Sequence, residues 1–208
     1  EQVDFAQPHG EAAQALVAEI LAGFDVDPTW APVLRTMLVD VLATPLDPRG
    51  TLRLCDVPAH ARTAELEFLF PVGAGAPKLV SGSAPPRGFL KGYIDLVFTH
   101  AGRWYVLDWK SNWLGDAPED YAAPRLAVTM RESLYDLQYR LYTVALHRHL
   151  AARVPGYDYE RHFGGVFYLF MRGMHPSRGA ATGVFFDRPT RGDVEALSAA
   201  LSRAGEGA

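Results

Sequence analysis

One cysteine, three lysines, no basic excess and no long apolar run are found in these 208 residues, and each shortage excludes something. A lone thiol, Cys55, cannot close an internal disulfide. The first 30 residues also lack the basic start and apolar centre of a secretory signal, so a cytoplasmic setting is expected. The longest apolar stretch, around Phe163 to Met171, is about nine residues. A bilayer-crossing helix needs roughly 20, so no membrane role is expected. The formal net charge of −4 argues against a domain that holds nucleic acid by bulk electrostatics, because such domains usually carry a clear basic excess. If DNA is the substrate, another element must deliver it. No Gly-x-x-x-x-Gly-Lys-Ser/Thr loop occurs, so these residues bind no ATP through a phosphate loop.

What is present is a chain that is 49% apolar, enough to bury a continuous core without disulfide or metal staples. Apolar residues at helical spacing predict two short helices, over Glu11–Phe24 and Pro32–Leu42. Leu66, Phe68, Phe70 and Val72 alternate with their neighbours and predict a half-buried strand from Ala64 to Val72, followed by a Gly/Pro-rich loop from Gly73 to Gly88. Two further strands, Phe89–Thr99 and Arg103–Lys110, flank His100-Ala101-Gly102 and read as a hairpin. A single long helix is predicted from about Arg125 to Leu150, opening after Pro124, with an apolar stripe of Leu134, Leu137, Leu141, Val144 and Ala145. Strands at Gly165–Met171 and Gly183–Phe186 precede a closing helix over Thr190–Ala204, with Thr190 and Asp193 at capping-box spacing. The predicted class is α/β, a central mixed sheet flanked by helices, in one domain spanning residues 1–208.

The chemistry lies in the hairpin. A turn centred between Ala101 and Gly102 sets a constant index sum across the two strands, which places Asp95 opposite Asp108. Directly opposed residues have Cβ atoms roughly 4.5 to 5.5 Å apart, and like charges so placed repel unless something cancels them. Both aspartates have apolar neighbours, Ile94, Leu96 and Val97 for one and Val106, Leu107 and Trp109 for the other. Desolvated and paired, they would share a proton or bind a divalent ion. Lys110 lies two residues beyond Asp108 and so shares its face. Two carboxylates and an ammonium on one spot suit phosphodiester hydrolysis, in which hard oxygens hold Mg²⁺ and a lysine orients the nucleophile or offsets developing charge. The same spacing also suits an ordinary hairpin with structural Asp–Lys pairs.

The wider sequence narrows this choice. Gly92-Tyr-Ile-Asp-Leu-Val-Phe, Tyr105-Val-Leu-Asp-Trp-Lys-Ser-Asn-Trp-Leu-Gly115, the run from Tyr135 to Leu150 and the run from Tyr157 to Gly173 together resemble the C-terminal nuclease domain of RecB, the helicase-nuclease subunit of bacterial RecBCD complexes. The resemblance is strongest from Arg87 to Gly173. It implies a PD-(D/E)XK fold in which Asp95 and Asp108 are metal ligands, the Trp109 backbone carbonyl is a further ligand, and Lys110 is the catalytic lysine. It also implies Mg²⁺ as cofactor, with Ca²⁺ or Mn²⁺ able to replace it in binding. DNA is the implied substrate, RecC-like and RecD-like subunits the implied partners, and ATP is used only by a helicase portion outside these residues.

On the same resemblance Gln138 and Tyr142, spaced i, i+4 on one helical face, contact DNA or order the site. Glu67 aligns with an acidic position on the preceding strand and is expected to assist through water or metal. The family also has a histidine ligand in a Gly-x-x-x-His segment of its first helix. His9, after Pro8, does not match it, and that histidine is expected before Glu1 in a longer polypeptide. Trp109, Trp113 and Tyr121 are candidates to stack on unpaired bases, with core packing the alternative for Trp109. His147, His149 and His162 lack zinc-spaced partners and are assigned no metal. Two other readings stand beside the nuclease: a catalytically silent module of the same fold that guides DNA or scaffolds partners, and a binding module whose acidic pair is structural.

Overall fold

The computed structural model describes residues 3–73 and 88–203. Most of the loop predicted between Gly73 and Gly88 therefore lies outside the described residues. Five strands, β1 (Arg62–Val72), β2 (Gly88–His100), β3 (Arg103–Lys110), β4 (Phe163–Phe170) and β5 (Val184–Asp187), form one sheet in chain order. All neighbours are antiparallel except β3 and β4. That parallel pair requires a crossover, supplied by α3 (Ala123–Glu132) and α4 (Tyr135–Arg153). Helices α1 (Glu11–Gly23), α2 (Ala31–Ala43), the one-turn α5 (Tyr159–His162) and α6 (Arg191–Ser202) complete the set. Among the described residues no helix is long and apolar enough to cross a membrane.

The sheet carries a core on each face. On one, Leu126 and Met130 of α3, Val144 and Leu146 of α4 and Val194 and Leu201 of α6 pack on Val106, Val166, Tyr168 and Phe170. On the other, Val41 and Leu42 of α2, with Leu46, Leu52 and Leu54, cover Leu96, Phe98, Leu107, Phe167 and Leu169. The central strands are therefore apolar on both faces, and all eight residues of β4 are buried. At the end of the chain, the Thr190 hydroxyl accepts the Asp193 N–H, the cap the sequence predicts for α6.

Two features differ from the sequence expectation. The single helix over Arg125–Leu150 is two helices, because Leu134 adopts a left-handed conformation (φ 56°) and the chain restarts at Tyr135. The Ser133 and Leu134 N–H groups close α3 on the Thr129 and Arg131 carbonyls, and Leu134 points outward at 48% exposure instead of joining the apolar stripe. The break re-aims α4, so that Tyr139 and Tyr142 face the sheet. The second feature is in the β1–β2 pair, whose register runs Ala64↔Leu96 and then Leu66↔Ile94. Ala64 and Leu96 pack into the α2-side core, whereas Leu66 and Ile94 pack into the α4-side core. Both strands change face at the level of Glu65, whose φ is 53°, and Asp95. Asp95 thus sits at a bend.

Glycine is required where the chain turns. Ala101 and Gly102 both have positive φ, as a two-residue hairpin turn demands. Gly183, which leads into β5, has φ 75°, and a Cβ there would lie 2.8 Å from the Phe170 carbonyl oxygen and 2.7 Å from Met174 Cγ. Gly183→Ala therefore combines backbone strain with a collision against main chain. A loss of about 2 to 4 kcal/mol of unfolding free energy is expected, read as a lower denaturant midpoint at unchanged slope.

Candidate active site

The antiparallel β2–β3 ladder keeps an index sum of 203 from His100↔Arg103 to Leu96↔Leu107, which is the register the turn predicts. The next pair would be Asp95 and Asp108, and there the ladder gives way. Asp95 Oδ2 accepts the Trp109 N–H at 2.9 Å, so a side chain replaces a strand carbonyl as β2 bends away. A strand residue's N–H and C=O leave toward the same neighbour, so the Trp109 carbonyl also faces β2. The Trp109 ring packs in the α2-side core, pointing away from the Asp108 side as its parity requires.

Asp108 and Lys110 project from β3 onto the α4 side, where both are buried, at 3% and 8% exposure. Lys110 Nζ lies 2.6 Å from Asp108 Oδ2 and donates to Gln138 Oε1 at 3.1 Å. Its ammonium lies 3.8 Å from the Tyr135 ring centroid and 4.8 Å from that of Tyr168. Gln138 is shared: its Oε1 also accepts from the Tyr168 hydroxyl at 3.0 Å, and its Nε2 donates to the Tyr142 hydroxyl at 2.8 Å. The lysine head is therefore fixed by one carboxylate, one amide and two aromatic faces.

The electrostatics show surplus negative charge. Burial pushes the Asp108 carboxyl up to about 6; the Lys110 hydrogen bond pulls it down, and the charge of Asp95 pushes it further up. Burial, then the Asp108 charge, pushes the Tyr142 phenol up to about 12, and Tyr168 moves in the same direction for the same two reasons. One ammonium does not balance two neighbouring carboxylates, one of them buried. A hard dication would, and two carboxylates with a main-chain carbonyl form the oxygen donor set that such an ion prefers. The residues thus fit a divalent metal. Among the described residues no group of three or more His, Cys, Asp or Glu side chains is gathered to hold one. His9 lies exposed before α1, its carbonyl accepting from Gln14.

Of the residues singled out from sequence, Asp95, Asp108, Trp109, Lys110, Gln138 and Tyr142 come together, and Glu67 does not. Glu67 alternates with Leu66 and Phe68, which face the α4-side core, and so lies on the outer side of the β1–β2 arm. There it is half exposed, pairs with Lys91 Nζ at 3.1 Å and accepts from the Tyr93 hydroxyl at 3.0 Å. Tyr121 is also misplaced as a base-stacking residue, being 3% exposed in the core. Tyr135 and Tyr168 were given no role by sequence. Tyr168 stands beside Asp108 in the parallel ladder, a neighbour visible only once β3 and β4 are known to pair. Tyr135 is three residues before Gln138 on the same helical face, and that spacing alone was the available signal.

A bent β-hairpin that presents Asp and Asp-x-Lys at the end of a mixed sheet, backed by a helix carrying a glutamine, defines a class. A model of the PD-(D/E)XK nuclease superfamily matches residues 6–206, and the chain belongs to that superfamily, whose nucleases use divalent metal ions. Within it the chain is similar to the RecBCD enzyme subunit RecB. It is 42% identical over 212 positions to that of Escherichia coli (strain K12), covering 92% of this chain, and 38% identical over 189 positions to that of Haemophilus influenzae, covering 84%. The subunit from Mycolicibacterium smegmatis is 33% identical over 239 positions, covering 91%. The chain spans only 17%, 15% and 22% of these relatives' lengths.

Proposed function

We propose that this chain is the Mg²⁺-dependent nuclease domain of a RecB-type helicase-nuclease, cutting single strands of DNA fed to it during double-strand-break repair and recombination in the bacterial cytoplasm. In this reading residues 1–208 form one domain of a longer polypeptide that works with RecC-like and RecD-like subunits. The observation that carries it is the convergence of Asp95, Asp108 and Lys110 where the β2–β3 ladder opens. The acidic balance of the chain supports delivery of the DNA by another element, since a net charge of −4 gives no general attraction for phosphate.

The contacts support a role for each residue. Asp95 and Asp108, with the Trp109 carbonyl, would hold the ion; the all-oxygen donors suit Mg²⁺, and Ca²⁺ or Mn²⁺ could occupy the same set. Bound there, the ion supplies neutralisation of phosphate charge and a more acidic water. Lys110 places an ammonium beside that spot, able to orient the attacking water or to meet the charge that develops on the phosphate. Gln138 fixes this ammonium and, through Tyr142 and Tyr168, ties it to the helix and to β4. Gln138 and Tyr142 are thus positioning residues.

The test is degradation of linear single-stranded DNA by the intact protein. Degradation is expected with Mg²⁺, to stop in EDTA and to resume when Mg²⁺ is restored in excess. Cleavage that continues undiminished in EDTA removes the proposal.

A further inference from the structure

We infer that the cleft beside the β3 exit is a subsite for one unpaired nucleotide of a single-stranded nucleic acid, with Trp113 stacking on the base and Arg172 facing the phosphate. The inference rests on the nuclease reading and adds to it the place where one base and its phosphate are held.

The loop that follows Lys110 is held at several points. Arg172 Nε donates to the Ser111 carbonyl at 3.0 Å, the Tyr135 hydroxyl donates to Asn112 Oδ1 at 3.3 Å, and the Leu114 N–H donates to the buried Tyr121 hydroxyl at 3.1 Å. Gly173 packs so closely on Tyr121 that a Cβ there would lie 2.3 Å from the tyrosine Cβ, which locks β4's exit to the same loop. Between these anchors Trp113 is 67% exposed. A large indole held outward on an anchored loop is a ready stacking face, and its fixed position spares the entropy of ordering it on binding.

The indole borders a cleft of about 320 Å³ whose other walls include Gly115, Arg172 and Arg178. Arg172 is exposed and forms no ion pair among the described residues, and its Nε bond to Ser111 leaves the two Nη groups for a ligand. Arg178 is committed to Thr182 Oγ1 and the Gly173 carbonyl and serves as a charged wall. One carboxylate shares the cleft: Asp116 accepts the Trp113 indole N–H at 3.4 Å, which steadies the ring. Asp120 Oδ2 lies behind the Gly115–Ala117 wall, accepting the Ala117 N–H at 3.0 Å, so the two guanidiniums are balanced by two carboxylates and the attraction for a phosphate rests on the free Nη groups of Arg172.

Its position sets the substrate form. Trp113 is three residues beyond Lys110, at most about 10 Å of extended chain, which puts the indole within a few nucleotides of the lysine on a bound strand. Tyr135 joins the two places, since its ring covers the Lys110 ammonium and its hydroxyl holds Asn112. An indole can stack only on a base that is not already stacked in a duplex, so the subsite selects single strands over double strands.

The experiment uses the full-length protein and an oligothymidine carrying 5-iododeoxyuridine, irradiated in EDTA so that cleavage plays no part, with the adduct mapped by mass spectrometry. Adducts are expected on the peptide containing Trp113, lost in W113A, kept in W113F and kept in D108A. With Mg²⁺, W113A should raise KM for a short oligothymidine about five- to a hundredfold and leave kcat within about twofold. R172Q, which keeps a donor for the Ser111 carbonyl but loses the charge, should flatten the slope of log KM against log salt by about 0.7. Adducts that map elsewhere, or that survive in W113A, overturn the subsite. If the Trp113 adduct forms but the protein never cleaves DNA, the subsite stands and the nuclease reading falls.

Discussion

Asp108→Ala is expected to lower Mg²⁺-dependent cleavage of linear single-stranded DNA by about a thousandfold or more, while the protein stays folded. The size follows from what the carboxylate is asked to do. An ion positioned on a reacting phosphate contributes several kcal/mol to the transition state, and at about 1.4 kcal/mol per tenfold a loss of about 4 kcal/mol is three orders of magnitude. The fold should survive because two effects oppose each other. Removing one member of a buried ion pair costs about 3 to 5 kcal/mol. Against this, burial pushes the Asp108 carboxyl up to about 6, so its ionised form at neutral pH opposes folding and its removal relieves that strain. The sign is that of a raised carboxyl: the penalty is absent below about pH 4, grows as pH rises toward 6, and is complete above it. Lys110 also keeps the Gln138 oxygen and two aromatic faces after the change. The check is cleavage rate together with thermal denaturation, with and without Mg²⁺. Wild type should gain about 2.7 kcal/mol from metal at a hundred times its Kd, and the variant should gain nothing. A variant that degrades DNA at the wild-type rate would falsify the assignment of Asp108.

The residues behind that prediction are legible in the amino-acid order itself. The hairpin register follows from one turn, because a side-chain period of two propagates the pairing at Ala101 and Gly102 as far as the aspartates. Lys110 follows from the same parity, whereas Gln138 and Tyr142 are picked out only by the resemblance to RecB-type nucleases, helical spacing adding that they share one face. The bend at Glu65 and Asp95 was not legible. Alternating apolar residues run unbroken through β1, and only the three-dimensional packing shows that Ala64 and Leu66 serve opposite cores. For the same reason Glu67 aligns with an acidic position yet faces the outside of the arm. The break between α3 and α4 was hidden because Leu134 supplies an apolar residue in phase with the stripe it does not join. Tyr168 was hidden by topology: its approach to Asp108 depends on a parallel pairing between strands more than 50 residues apart, which no local pattern encodes.

Lys110 separates the two jobs of the site, and its removal is expected to act on them in opposite directions. In Lys110→Ala the cleavage rate should fall about a hundred- to ten-thousandfold, the range for losing a positioned group that moves a proton or meets transition-state charge. Metal binding should strengthen. In the present geometry the ammonium, 2.6 Å from Asp108 Oδ2, occupies the carboxylate that a dication needs and repels any ion held there. At an effective dielectric of about 20 such repulsion between close charges amounts to a few kcal/mol, so removing it should raise affinity for Ca²⁺ at least about tenfold. Calorimetry of Ca²⁺ binding beside cleavage assays in Mg²⁺ reads both effects. Asp108→Ala loses binding and cleavage together, whereas Lys110→Ala loses cleavage and gains binding, a contrast that a purely structural Asp–Lys pair would not produce. Metal affinity that falls in Lys110→Ala would show that the lysine supports the carboxylates instead of competing for them, and would assign it to the fold and not to the chemistry.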